Sequence, residues 1–334
     1  MTKKSVKKKS RLGLGTRALF AILPLVVILG GAEAYLRGSG WPKTDVNTQD
    51  FTHKDVYWVE APNQNLEVTP HRETGGSFRV STDANGLRFP LHTQQKPAGA
   101  YRVMALGCST TYGWGVDDAD SYPAKLDKIL NETGHAVEVI NGGQPGYSSF
   151  QGLWLWDKTL AKYGPDVVIF GYVVQDSRKV KYSDRSQAIL QRNGDWLKSS
   201  LLHQLKSYLW LRERVNLARA EQKDLQPDIE RVPPEEYAEN IRAFKSRIDA
   251  VGAKMLLFGY PLERAGYTEG HRALLASAGK VLGVPHHDPQ PEIERRTATD
   301  TLYFPQDRGH ANALGNEAIA QGMAQFLVGQ GLVP

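Results

Sequence analysis

From Tyr101 to its end the chain alternates short apolar runs with longer stretches in which apolar residues recur at helical spacing. The runs at 101–106, 137–141, 166–174 and 254–260 are closed by glycine or polar residues and read as strands. Stretches 122–133, 150–163 and 268–281 read as helices, a short edge strand is expected at 284–286, and a last periodic segment (Leu314, Ala318, Ile319, Met323, Phe326, Leu327) closes the chain. Such alternation predicts the α/β class, a parallel sheet with helices on both faces.

Before residue 101 the pattern changes. Residues 18–32 are an unbroken apolar run extended by Ala34, Tyr35 and Leu36. The nineteen residues of 18–36, rising about 1.5 Å each as a helix, just suffice to cross a hydrocarbon core. Residues 37–100 are rich in turn formers, with short strands expected around Tyr57-Trp58-Val59 and Phe78-Arg79-Val80 and a turn at Asp83-Ala84-Asn85-Gly86. They read as an extended or β-rich preamble to the 101–334 domain, with no assigned chemistry. Inside that domain, the interval 179–252 is too long for a simple crossover, and about 179–232 reads as a helical insertion. Its apolar stretch Leu201, Leu202, Leu205, Leu209 and Val215 predicts an inserted helical cap, and a crossover helix with Tyr237, Ile241, Phe244 and Ile248 follows Pro233-Pro234.

The formal net charge of +5 describes a tail rather than the body. Of 41 basic residues, seven (Lys3, Lys4, Lys7, Lys8, Lys9, Arg11 and Arg17) precede the first acidic one, Glu33; the other 34 face 36 acidic residues, a net of −2. Nucleic-acid binding by the body is therefore not expected. A basic tail at 1–17 followed by an apolar helix at 18–36 places the N-terminus in a bacterial cytoplasm and the body in the periplasm, as a single-pass inner-membrane anchor. Ala32-Glu33-Ala34 also fits a peptidase site, which would give a secreted form instead. One cysteine excludes an intrachain disulfide. No Walker or dinucleotide fingerprint is present, and the adjacent His286 and His287 would face opposite sides of a strand, so neither cofactor nor metal is expected.

The chemistry gathers at strand ends. In YRVMALGCSTTYGWG, Ser109 follows an apolar run and Gly107 at a strand-to-helix turn, which lifts a hydroxyl beside free backbone N–H groups. Far downstream, Asp307 and His310 stand three apart at the entrance of the last helix, where a turn can present both to one site. VEVINGGQPGYSS ends in a glycine-rich loop, and DVVIFGYVVQD ends in Gln175 and Asp176. In an open parallel sheet these carboxyl ends are where ligands bind. The aromatics Tyr112, Trp114, Tyr122, Tyr147 and Tyr172 near these loops read as buried rings rather than sugar-stacking platforms.

With these segments in view, the chain resembles the SGNH hydrolases, or GDSL-type esterases, over roughly Tyr101 to the C-terminus. GCST at 107–110, NGGQPGYSS at 141–149 and DRGH at 307–310 carry the likeness. The resemblance implies a flavodoxin-like, doubly wound sheet, Ser109 as nucleophile, His310 as general base and acid, and Asp307 as its orienting carboxylate. It also implies an oxyanion hole from the N–H groups of Ser109 and Gly146 and the amide of Gln175. Two positions depart from the family pattern: Cys108 replaces its usual Asp, and Gln175 its usual Asn. Cys108 is an alternative nucleophile by chemistry, although a cysteine there is better read as a small packed apolar group. The implied activity is a serine esterase that needs no cofactor and removes a small acyl group such as acetyl from a cell-envelope saccharide. The alternatives are an O-acetyltransferase using the same triad and a non-catalytic envelope-binding module on a degenerate esterase fold.

Overall fold

The computed structural model describes residues 14–39, 60–68, 76–189, 205–211, 214 and 229–334. The chain divides into two compact units, 1–45 with 194–226 and 46–193 with 227–334. In the first, α1 spans Leu14–Gly38 and residues 206–211 are helical. Glu33 accepts the backbone N–H groups of Lys206 (3.0 Å) and Ser207 (2.8 Å), satisfying donors that a helix start leaves open. Among the described residues no helix is long and apolar enough to cross a membrane. The expected helix over 18–36 is thus present as a helix, without support as a span.

In the second unit, β1 (Asn65–Val68) and β2 (Phe78–Ser81) form an antiparallel ribbon whose Val68, Phe78 and Val80 are buried. The strand expected around Tyr57-Trp58-Val59 lies outside the described residues. Then follow β3 (Tyr101–Gly107), α2 (Ser109–Tyr112), α3 (Tyr122–Glu132), β4 (Val137–Gly143), α4 (Ser149–Lys158) and β5 (Val167–Phe170). A two-stranded stem, β6 (Lys179–Val180) with β7 (Ile229–Glu230), carries the insertion. Of that insertion, 190–204, 212–213 and 215–228 lie outside the described residues, as does most of the apolar stretch expected to form a cap. The chain closes with α5 (Pro234–Ala250), β8 (Lys254–Phe258), α6 (Glu269–Leu282), β9 (His286–His287), α7 (Gln290–Thr297), β10 (Tyr303–Phe304), β11 (Asp307–Ala311) and α8 (Ala313–Gly329).

Five parallel strands pair in the order β4-β3-β5-β8-β9. Counted along the chain that is 2-1-3-4-5, the flavodoxin-like doubly wound order. β3, β5 and β8 are buried almost throughout, as strands covered on both faces must be. One group of helices pairs α3 with α8; the other joins α4, α5 and α6. In α3 the apolar positions Tyr122, Leu126 and Leu130 fall on one buried stripe. Each fully buried leucine there is worth roughly 1.5–3 kcal/mol relative to exposure.

The third strand ends four residues earlier than its apolar sequence predicts. Phe170 pairs with Leu106 and Gly171 N–H still donates to Leu106 O, but β3 then gives way to α2 and leaves Tyr172 to Val174 no ladder partner. Their apolar character belongs to burial, not to a strand. Glycine permits the close approach of α2 to the sheet: a Cβ on Gly143 would stand 2.4 Å from Tyr112 N, and one on Gly107 would stand 2.1 Å from Thr111 Oγ1.

Candidate active site

Ser109 is the first residue of α2, one position after the end of β3 is passed at Cys108, whose backbone is extended (φ −96°, ψ −151°). The Cys108 thiol is buried against Thr110 Oγ1 at 3.2 Å, and burial pushes its pKa up. It is packed as a small apolar group and remains a thiol.

His310 arrives from the far end of the chain. Its Nε2 lies 2.7 Å from Ser109 Oγ, and its Nδ1 is hydrogen-bonded to Asp307 Oδ2. A carboxylate only accepts, so Nδ1 carries the proton and Nε2 is left to accept from the serine hydroxyl. The other Asp307 oxygen accepts Gly309 N–H at 3.1 Å. The two side chains do not come from a simple turn, as the sequence suggested, but from strand β11. Positions three apart on a regular strand face opposite sides. Here the register against β10 shifts, with Tyr303 opposite Ala311 but Phe304 opposite Asp307, and the irregularity lets both side chains meet. Buried Asn316 fixes the hairpin to the body: it donates to Ala311 O (2.8 Å) and accepts Tyr122 N–H (3.0 Å).

The 174–177 turn brings Gln175 to the same cavity as Ser109. Gln175 lines a cavity of about 440 Å³ together with Ser109, His310 and Tyr267. Its Oε1 accepts from Arg231 Nη1 at 3.0 Å, and the same Nη1 donates to Gly146 O at 2.7 Å. Arginine only donates, so Oε1 must be the atom held, and the Nε2 donor is left for the cavity. Gly146, at φ +75°, is joined to Gln175 through Arg231. Arg231 is itself fixed by Gln151 Oε1 (3.0 Å) and by a paired Asp184 (2.7 Å) that is nearly inaccessible.

Within this turn Asp176 is fully buried and accepts Ser149 N–H (3.0 Å) and Ser149 Oγ–H (2.5 Å). Burial raises its pKa to about 7, with the Ser149 hydrogen bonds and Arg231 acting in the other direction.

Arg88, from the preamble, is fully buried. It donates to Tyr112 O (2.9 Å), Gly113 O (2.5 Å) and Val116 O (2.6 Å), clasping the loop that leaves the Ser109 helix, and pairs with Asp118 at 3.1 Å. The preamble, to which the sequence assigned no chemistry, thus supports the loop that follows Ser109. Neither arginine was foreseeable from local pattern: Arg231 is 56 residues from Gln175. Of the flanking aromatics, Tyr112, Tyr122, Tyr147 and Tyr172 are fully buried, and the ring in the cavity wall is Tyr267. Among the described residues, no cluster of three His, Cys, Asp or Glu is placed to hold a metal ion.

No family model and no curated protein matches the chain. Solved structures do superpose. A lipase/acylhydrolase from Enterococcus faecalis aligns over 70% of this chain and 97% of its own, at 14% identity and TM-score 0.48. LAE5, an alpha/beta hydrolase enzyme from the Lake Arreo metagenome, covers 71% and 97% at 18% identity and TM-score 0.47. A catalytic mutant of Axe2, an acetylxylan esterase from Geobacillus stearothermophilus, covers 70% and 95% at 12% identity and TM-score 0.46. Superpositions this loose assign no activity.

Proposed function

We propose that the protein is a serine esterase that forms an acyl-enzyme at Ser109. The observation that carries the reading is the hydrogen-bonded line from Asp307 through His310 to Ser109 Oγ, opening on a cavity. Ser109 Oγ attacks the ester carbonyl carbon as its proton passes to His310 Nε2, and Asp307 steadies the imidazolium. His310 returns the proton to the departing alcohol as the C–O bond breaks, and water then repeats the sequence on the acyl-enzyme. The N–H groups of Ser109 and Gly146 and the Gln175 amide are the donors to the tetrahedral oxyanion, with Arg231 orienting that amide. No metal or cofactor takes part. The same intact line counts against a non-catalytic binding module.

The acyl group is small, such as acetyl, and the alcohol a cell-envelope saccharide. That assignment rests on the resemblance to the GDSL-type esterases and on the proposed placement of the body in the periplasm, tethered to the inner membrane by α1. Seven basic residues ahead of its apolar run support the topology, as do the exposed Phe20, Leu23, Val26, Val27, Ile28 and Leu29 along it. A mature form beginning near Tyr35 would show a secreted enzyme instead. Incubating the full-length chain with a chromogenic acetyl ester, with and without saccharide acceptors, tests the activity. Hydrolysis lost in Ser109→Ala supports the esterase, and acetyl transfer to a saccharide in preference to water would make it an O-acetyltransferase. No turnover on a range of acetyl esters would overturn the reading.

A further inference from the structure

The charges around the cavity are unevenly matched. Arg178 and Lys179 line it beside Ser109 and His310, and no Asp or Glu does. Lys179 is neutralised by Glu230 at 2.5 Å, and Arg308, next to the cavity-lining Gly309, by Glu263 at 3.4 Å. Arg178 is exposed and has no carboxylate partner among the described residues. Its Nη1 stands 3.5 Å from Gln175 Oε1, so the guanidinium lies directly beside the group assigned to the oxyanion. Its backbone is not loose: Arg178 O accepts Arg231 N–H at 2.8 Å, at the foot of the β6–β7 stem. Tyr267, half exposed, stands on the same cavity wall as Arg178. In a body that is net negative outside its N-terminal tail, a guanidinium with no carboxylate partner among the described residues, on the cavity that Ser109 lines, is a local exception.

Resting on the esterase reading, we infer that the substrate carries an anionic group, a carboxylate or a phosphate, which Arg178 binds while Ser109 attacks the ester. A planar guanidinium with a forked set of donors matches either group in bidentate fashion. A cleft lined by one sign of charge also concentrates ligands of the other.

Three acetyl esters of one methyl glycoside, differing only at C6 (hydroxymethyl, carboxylate, phosphate), test this on the full-length chain. At low salt kcat/KM should favour an anionic ester over the neutral one by about 10-fold or more, the scale of one charge-assisted hydrogen bond. Added salt should shrink the advantage. Arg178→Gln should bring the ratio close to one while leaving the neutral ester within about threefold, and whichever anion has the larger advantage identifies the source. Equal rates on all three esters overturn the inference. So does an Arg178→Gln variant that slows all three alike, because Arg178 would then serve the oxyanion side. A binding measurement separates this from failure of the esterase reading. Without turnover, Ser109→Ala should still bind the deacetylated glycoside carboxylate or phosphate, and Arg178→Gln added to it should weaken that binding about 10-fold. Unchanged affinity overturns the subsite whatever the enzyme's activity proves to be.

Discussion

Two arginines flank Ser109 and hold unlike things. Arg88 clasps three backbone carbonyls of the loop that leaves the nucleophile helix. Arg231 holds one carbonyl, at Gly146, and two side-chain amides, at Gln175 and Gln151. A backbone loop needs only to be kept in place, because its donors and acceptors are fixed by the chain. A glutamine amide must also be turned the right way, since one end donates and the other accepts. Loss of Arg88 is therefore expected to appear as lost stability, and loss of Arg231 as lost rate.

The largest effect is common to both sides. Ser109→Ala and His310→Ala should each lower kcat by a factor on the order of 10³ or more, and the double variant should lose little further, because the triad acts as a unit. If Cys108→Ser abolished turnover while Ser109→Ala kept it, the nucleophile would be misassigned. Next comes the amide: Gln175→Ala should lower kcat by about 10² to 10³ with little change in KM, since its bond is made mainly in the transition state. Arg231→Lys keeps a positive charge beside Asp184 but loses the fork, and should lower kcat by about 10-fold or more. Combined with Gln175→Ala it should cost almost nothing extra. Additive losses in that double variant would separate Arg231 from Gln175 and break the comparison.

Arg88 is the contrasting arm. Arg88→Met removes a donor from Asp118 and from four carbonyls, those of Arg79, Tyr112, Gly113 and Val116, and should destabilise the fold by about 3–5 kcal/mol in denaturant titration. Activity per folded molecule should stay within about threefold. A folded Arg88→Met protein with kcat reduced as far as in Gln175→Ala would show that the loop is part of the rate and not merely its support.

The two sides also differ in how far they can be read from sequence. Ser109 is legible because strand, glycine and helix start are contiguous, and Asp307 with His310 because they sit three apart before a periodic helix. The sheet is legible for the same reason: alternation is a local signal, and the order 2-1-3-4-5 emerges once the pairs are formed. The third strand was overextended because Tyr172 to Val174 are as apolar as a strand while burying themselves in a loop. The hairpin bearing His310 was missed because two short pairings with a register shift leave no periodic trace. Arg88 and Arg231 were missed for a deeper reason: a buried arginine is identified by the carbonyls around it, and those come from other parts of the chain.

The smaller of the two stability effects concerns Asp176, the buried carboxylate within the Gln175 turn. Its pKa is raised to about 7, mainly by burial. An ordinary unfolded aspartate titrates near 4, so the native state keeps a proton that the unfolded chain gives up between about pH 4 and pH 7. The contribution to stability is fully present below that window, falls as pH rises through it, and is constant above. Burial pushes the pKa values of His271, His286 and His287 down, the last to about 4, and these work in the opposite sense, with stability lost as pH falls. The slope of the unmodified protein therefore mixes the two. Comparison with Asp176→Asn isolates the carboxylate, because the histidines are common to both proteins. From pH 5 to pH 8 the stability of Asp176→Asn should rise relative to the unmodified chain by on the order of 2 kcal/mol, or about 4–8 °C in Tm. A constant difference across that range would mean that Asp176 is ionised in the folded protein throughout, held by Ser149 and Arg231 more strongly than burial opposes it.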